Sequence, residues 1–153
     1  MVSWVRRVAL AVALAGAFAA QAAPTEEDEF KLDPDYAGGK KAVETKDWSS
    51  AIRLLSSAAL RDTRNADIQN YLGYAYRNSG QFDLAFKHYE RALQLDPRHR
   101  GAHEYIGEAY LIVNNLPRAQ EHLAALQKIC LLPCEEYEDL KKKIAEYRAR
   151  AGK

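Results

Sequence analysis

The chain has 153 residues, 48% of them hydrophobic, enough for one ordinary domain with a real core. Its 22 Lys and Arg against 21 Asp and Glu give a formal charge of +1. That balance excludes the large basic excess on which bulk nucleic-acid binding depends.

Residues 1–22 read as a secretory signal peptide. Arg6 and Arg7 make a basic start, Val8 to Ala20 is an apolar run, and Ala20-Gln21-Ala22 is a small-x-small cleavage site. The run is 13 residues long, short of the roughly 20 that a membrane-spanning helix needs. The surroundings of Arg6-Arg7 fit twin-arginine export poorly and general secretion better. Cleavage after Ala22 removes two arginines and no acids, leaving 20 bases against 21 acids. The expectation is an exported chain, periplasmic or secreted, that begins at Ala23 and keeps no stable membrane span. Residues 23–31, with Glu26, Glu27, Asp28 and Glu29 and few apolar side chains, read as a disordered acidic linker.

From residue 32 the sequence repeats itself at a step of 34 residues. Gly39, Gly73 and Gly107 fall in one column, and Ala51, Ala85 and Ala119 in another. Trp48, Phe82 and Leu116 align, as do Leu55, Tyr89 and Leu123, then Ala58, Ala92 and Leu126. In the middle unit, Leu72, Ala75 and Tyr76, then Phe82, Ala85, Tyr89 and Ala92, fall at helical spacings on either side of Ser79-Gly80-Gln81. Gly80 suits the left-handed residue that ends a helix, and Asp96-Pro97 stops the next one. Each unit is therefore a pair of helices, with Gly73 and Ala85 at the close contact. A lone pair cannot bury its apolar face, so such units stack. In the first unit Lys46 stands at the turn glycine and Thr63 at the closing proline; in the third, Asn114 can take the left-handed turn and Pro117 fits a first helical turn.

Residues 134–150 form a final amphipathic helix, with Tyr137, Leu140, Ile144 and Tyr147 on one stripe. Acids lie at its start and Lys141 to Lys143, Arg148 and Arg150 towards its end, as the helix dipole favours. It reads as a cap over the last pair, its basic run a solvated face. Just before it, Cys130 and Cys134 flank Leu131-Leu132-Pro133, and export would favour a local disulfide there. A redox dithiol would need two intervening residues and a strand–helix unit, and zinc would need two further ligands. His99, His103 and Glu104 resemble half a metal site, but His99 falls in the Asp96-Pro97 turn and the metalloprotease arrangement His-Glu-x-x-His is absent. No catalytic motif, metal or cofactor is expected.

Gln69-Asn70-Tyr71-Leu72-Gly73-Tyr74-Ala75-Tyr76, Gly80-Gln81-Phe82-Asp83-Leu84-Ala85, Tyr89, Ala92-Leu93 and Leu95-Asp96-Pro97 resemble the tetratricopeptide repeat. The resemblance is densest over 66–99, strong over 100–133 and weaker over 32–65. It implies an all-α solenoid of three tetratricopeptide helix pairs (32–65, 66–99 and 100–133) closed by the capping helix. It also implies a concave groove lined by the first helix of each pair. Carried over residue by residue, that groove presents Tyr36, Lys40 and Val43, then Asn70, Tyr74, Arg77 and Asn78, then Glu104, Glu108 and Leu111.

The function implied is a non-enzymatic adaptor or scaffold that binds a segment of another protein. The alternative is a structural subunit of an envelope assembly that packs through convex or terminal faces. Family members that clamp a C-terminal carboxylate use cations and asparagines at places held here by Tyr36, Lys40, Tyr74, Glu104 and Glu108, and two acids there repel a carboxylate. With Lys40 and Arg77 in the first two units and Glu104 and Glu108 one turn apart in the third, the bound segment is expected to carry a cationic portion towards the third unit.

Overall fold

The computed structural model describes residues 33–152, so the expected signal peptide and acidic linker lie outside the described residues. Seven helices follow in order: α1 (Pro34–Glu44), α2 (Trp48–Arg61), α3 (Ala66–Asn78), α4 (Phe82–Leu95), α5 (Arg100–Ile112), α6 (Leu116–Ile129) and α7 (Glu135–Ala151). Among the described residues there is no strand.

Side chains just before the helices start most of them. Asp33 accepts from the backbone N–H groups of Asp35 and Tyr36, Asp47 from Ser50, Asn65 from Ile68 and Asn115 from Arg118. Each such cap satisfies an otherwise unpaired donor and stabilises its helix by about 1 kcal/mol. His99 caps α5 in the same way, its Nδ1 accepting from Ala102 N at 3.0 Å. The three turns within pairs place Lys46, Gly80 and Asn114 at φ 60°, 80° and 60°. Glycine takes that conformation freely and asparagine tolerates it, whereas Lys46 bears the steric cost of a side chain there.

α1 packs on α2, α3 on α4 and α5 on α6, and the pairs stack through α2–α3 and α4–α5. Neighbouring first helices also touch, α1 with α3 and α3 with α5, so they lie side by side along one face. The arrangement is an α-solenoid of three helix pairs with one further helix. Ala51, Ala85 and Ala119 are fully buried, as the small-residue column requires. At Gly73 an added Cβ would lie 2.5 Å from the Tyr89 ring, and at Gly39 it would lie 2.6 Å from Leu55. Only the missing side chain lets each pair close this far.

The third unit departs from the pattern. Leu123 aligns with Leu55 and Tyr89, yet the side chain against Gly107 is Leu140 of α7, 2.6 Å from where a Cβ would be. The helix after the last pair is in the same register as the first helices: Leu72, Ile106 and Leu140 are 34 residues apart, and so are Tyr71, Tyr105 and Asp139. Leu140 and Ile144 join Leu111, Ala119 and Leu126 in the last core cluster. The α6–α7 corner is held by the Cys130–Cys134 disulfide, with Cα atoms 6.0 Å apart. At the opposite end Arg61 donates to Asp33 and Asp35, tying α2 to the start of α1.

Candidate functional site

The first helices and α7 enclose a line of recesses. One, of about 490 Å³, lies between α1 and α3 and is lined by Tyr36, Lys40, Asp67 and Tyr71. A second, of about 530 Å³, is bounded by α3, α5 and α7 and is lined by Asp67, Asn70, Tyr71, Glu104, Tyr105 and Asp139. Asp67 and Tyr71 belong to both, so the two are continuous. A third, smaller recess towards the helix C-termini takes in Arg77, Asn78, Glu108 and Leu111, with Lys143 and Glu146 of α7.

The aromatic side chains form a ladder across the helices. Tyr36 meets Tyr71 edge-on with centroids 6.3 Å apart. Tyr74 lies between Trp48 at 6.0 Å and Tyr105 at 4.9 Å. Lys40 Nζ sits 5.7 Å from the ring centres of both Tyr36 and Tyr71. Such contacts order the lysine while leaving its ammonium beside the first recess.

Two expected groove charges turn out to be engaged with each other. Arg77 Nη1 donates to the Glu108 carboxylate and, at 3.4 Å, to Tyr105 O, with its guanidinium 5.0 Å from the Tyr74 ring centre. The Arg77 side chain is only 8% exposed and that of Glu108 17%. The pair therefore joins the second unit to the third, and neither charge is presented singly to a ligand. The expected polarity based on Arg77 and Glu108 is corrected accordingly. Val43 packs against the first core cluster and Leu111 belongs to the last, because both fall on the inward side of their helices. Asn78 is exposed, and its side-chain amide donates to Tyr74 O.

Glu104 and Asn70 are different. Glu104 is 8% exposed and Asn70 5%. Burial, reinforced by the negative charges of Glu108, Asp139 and Glu136, pushes the Glu104 carboxyl up to about 8. Asn70 Oδ1 is buried with no hydrogen-bond partner among the described residues. Nearby, His99 Nδ1 accepts from Ala102 N, which leaves the proton on Nε2 to be donated to Asp67 at 3.0 Å. His103 is buried, its Nδ1 2.9 Å from that of His122 and its Nε2 3.2 Å from Pro97 O. These contacts give His99 a capping role and His103 a packing one.

Tyr71, Tyr105, Asp67 and Asp139 were not among the groove residues expected from sequence. The 34-residue step could have found three of them, since Tyr71, Tyr105 and Asp139 share one column.

The tetratricopeptide repeat family model matches residues 66–99. Residues 66–99 form a tetratricopeptide repeat. The repeat occupies α3 and α4, the pair closed by the Gly73–Tyr89 contact, and the first pair repeats that contact at Gly39–Leu55. Among curated proteins the human protein O-mannosyl-transferase TMTC3 is 29% identical over 93 residues, 60% of this chain and 10% of that protein. The chain thus spans about a tenth of the length of that relative. Among solved structures, the Yersinia enterocolitica type III secretion chaperone SycD, in complex with a peptide of the translocator YopD, superposes with a TM-score of 0.67. The identity is 17%, over 84% of this chain and 97% of that one. The first tetratricopeptide domain of Spaghetti (RPAP3), bound to an HSP90 peptide, superposes with a TM-score of 0.65 at 19% identity, over 75% and 90% of the two chains. These two likenesses are of fold.

Proposed function

We propose that this protein is a non-catalytic interaction module whose concave groove takes a segment of a partner protein, and that it works outside the cytoplasm. The observation that carries the reading is the continuous pair of recesses along α1, α3, α5 and α7, walled by Tyr36, Lys40, Asn70, Tyr71 and Tyr105. Solenoids of this kind offer an extended concave surface, and tyrosines are effective interface anchors because they bury large area at little entropic cost. That two proteins of similar fold bind peptides supports the reading. Export is supported by the apolar run before Ala20-Gln21-Ala22 and by a cysteine pair disposed for a disulfide.

The test is site-specific photo-crosslinking in the native host. A crosslinker at Lys40 or Asn78, on first helices, should capture a partner, and one at Lys87, exposed on α4, should not. Capture from Lys87 alone would favour the structural-subunit alternative. Fractionation of the host, with N-terminal sequencing of the exported form, should find a chain that begins at Ala23. An intact Met1 would count against export by cleavage.

A further inference from the structure

We propose that the recess between α3, α5 and α7 is a subsite for a cationic side chain, a lysine or an arginine, of the bound segment. The inference rests on the groove reading above and adds the chemistry of one position in it. Glu104, which lines this recess, is 8% exposed, and among the described residues no hydrogen bond or ion pair engages its carboxylate. Asn70, one helix over and 5% exposed, holds a buried Oδ1 without a partner. Two unmatched acceptors drawn from different helices, Asn70 Oδ1 fully buried and the carboxylate of the 8% exposed Glu104 beside it in the recess, are what a donor-bearing ligand would complete.

The surrounding charge selects the ligand's sign. Six carboxylates line the recess, from Asp67, Asp96, Glu104, Glu135, Glu136 and Asp139, against the guanidiniums of Arg98 and Arg100. Arg100 pairs with Glu136 of the recess at 3.5 Å and so offsets one of the six, while Arg98 is directed away, to Ile129 O at 3.4 Å. The N-termini of α3, α5 and α7 add partial positive charge of about half a unit each, which the carboxylate excess outweighs. Tyr71 and Tyr105 offer apolar walls for an aliphatic stem, as long cationic side chains require. Among the described residues no group of three or more His, Cys, Asp and Glu is disposed to hold a metal ion.

Binding is coupled to protons. In the free protein Glu104 faces Arg100 and Glu108 on its own helix, Asp67 and Arg77 on α3, Glu135, Glu136 and Asp139 on α7, and Asp96, Arg98 and His99 in the preceding turn. Its carboxyl is pushed up to about 8, chiefly by burial. A cation beside it favours the ionised form, so binding releases a proton and strengthens as pH rises from 6 towards 9.

Blocked pentapeptides Gly-Gly-X-Gly-Gly, with X arginine, lysine, glutamine or glutamate, titrated into the full chain and followed by NMR, decide the matter. Arginine or lysine should shift the Asn70 side-chain amide and the Glu104 and Asp139 backbone resonances. Glutamine and glutamate should bind there at least about tenfold more weakly. Glu104→Gln, shown to fold by its melting transition, should lose about tenfold for the cationic peptides and lose their pH dependence. Equal shifts for X arginine and X glutamine, or an unchanged affinity in Glu104→Gln, would overturn the subsite. Crosslinking from Lys40 reports separately on the groove, so either result can fail alone.

Discussion

Arg77 on α3 and Glu108 on α5 close on each other across the boundary between the second and third units, and Tyr105 O receives the same guanidinium. Both side chains are largely buried, so each charge depends on the other for its solvation. Removing one strands its partner, at a cost of about 3 kcal/mol. Glu108→Gln and Arg77→Ala should each lower the unfolding free energy obtained from urea denaturation by that amount, and the double change to apolar residues of similar volume should recover much of it. A double-mutant cycle with no coupling would contradict the pairing.

Gly107 and Leu140 make a second pairing with a measurable consequence. Any Cβ at Gly107 meets the leucine side chain at 2.6 Å, so Gly107→Ala should cost about 1–3 kcal/mol through overpacking. Leu140→Ala alone should cost about 2–5 kcal/mol, since Leu140 is fully buried. Combined, the two should destabilise by less than their sum, because the shorter side chain leaves room for the new methyl. Strict additivity in chemical denaturation would place Leu140 elsewhere.

Stability should fall away on both sides of a plateau between about pH 4.5 and 6.5, for opposite reasons. Burial, with the neighbouring His103 and Arg118, pushes His122 down to about 4, so the fold favours its neutral form. The stability it contributes is present above its usual value of 6.5 and is lost as pH falls from there towards 4. Glu104 runs the other way. Its usual value of 4.5 is raised to about 8, so the fold holds that proton more tightly and stability declines as pH rises from 4.5 through 8. His122→Gln should flatten the acid side, and Glu104→Gln should raise the melting temperature at pH 8.5 with little change at pH 5. Melting temperatures measured across pH 4 to 9 would test both directions.

The Cys130–Cys134 bridge closes a short loop, for which the chain-entropy model gives about 2 kcal/mol. Reduction should therefore loosen the α6–α7 corner first. Amide exchange in α7 should quicken in a Cys130→Ala, Cys134→Ala variant while that of α3 stays unchanged. Intact mass before and after reduction and alkylation tests whether the bond forms in the exported protein; two alkylated thiols without reduction would mean it does not.

Much of the fold was legible because the repeat carries its own check. A glycine column and an alanine column, each recurring every 34 residues, report closely packed helices before any coordinates exist, although the side chain against Gly73 is Tyr89 and not the expected Ala85. The turn residues were legible too, since Gly80 and Asn114 are types that accept positive φ. What escaped was anything involving three helices. Arg77 and Glu108 look like independent groove charges along their own helices, and only the lateral spacing of α3 and α5 makes them partners. In the sequence α7 shows its apolar stripe and the charges at its two ends. That stripe identifies a cap but not its register, so the contributions of Leu140 to Gly107 and of Asp139 to the recess went unseen. The burial of Glu104 likewise depends on helices before and after its own.

The register of α7 also sets a length for whatever lies in the groove. With three first helices about 9 Å apart, an extended segment crossing from the first to the last spans roughly 18 Å, or about five residues. A fourth helix in the same row extends the crossing to roughly 27 Å, or about eight residues. A partner motif cut to five residues would reach only part of this track, and which part survived would depend on the end from which it was trimmed.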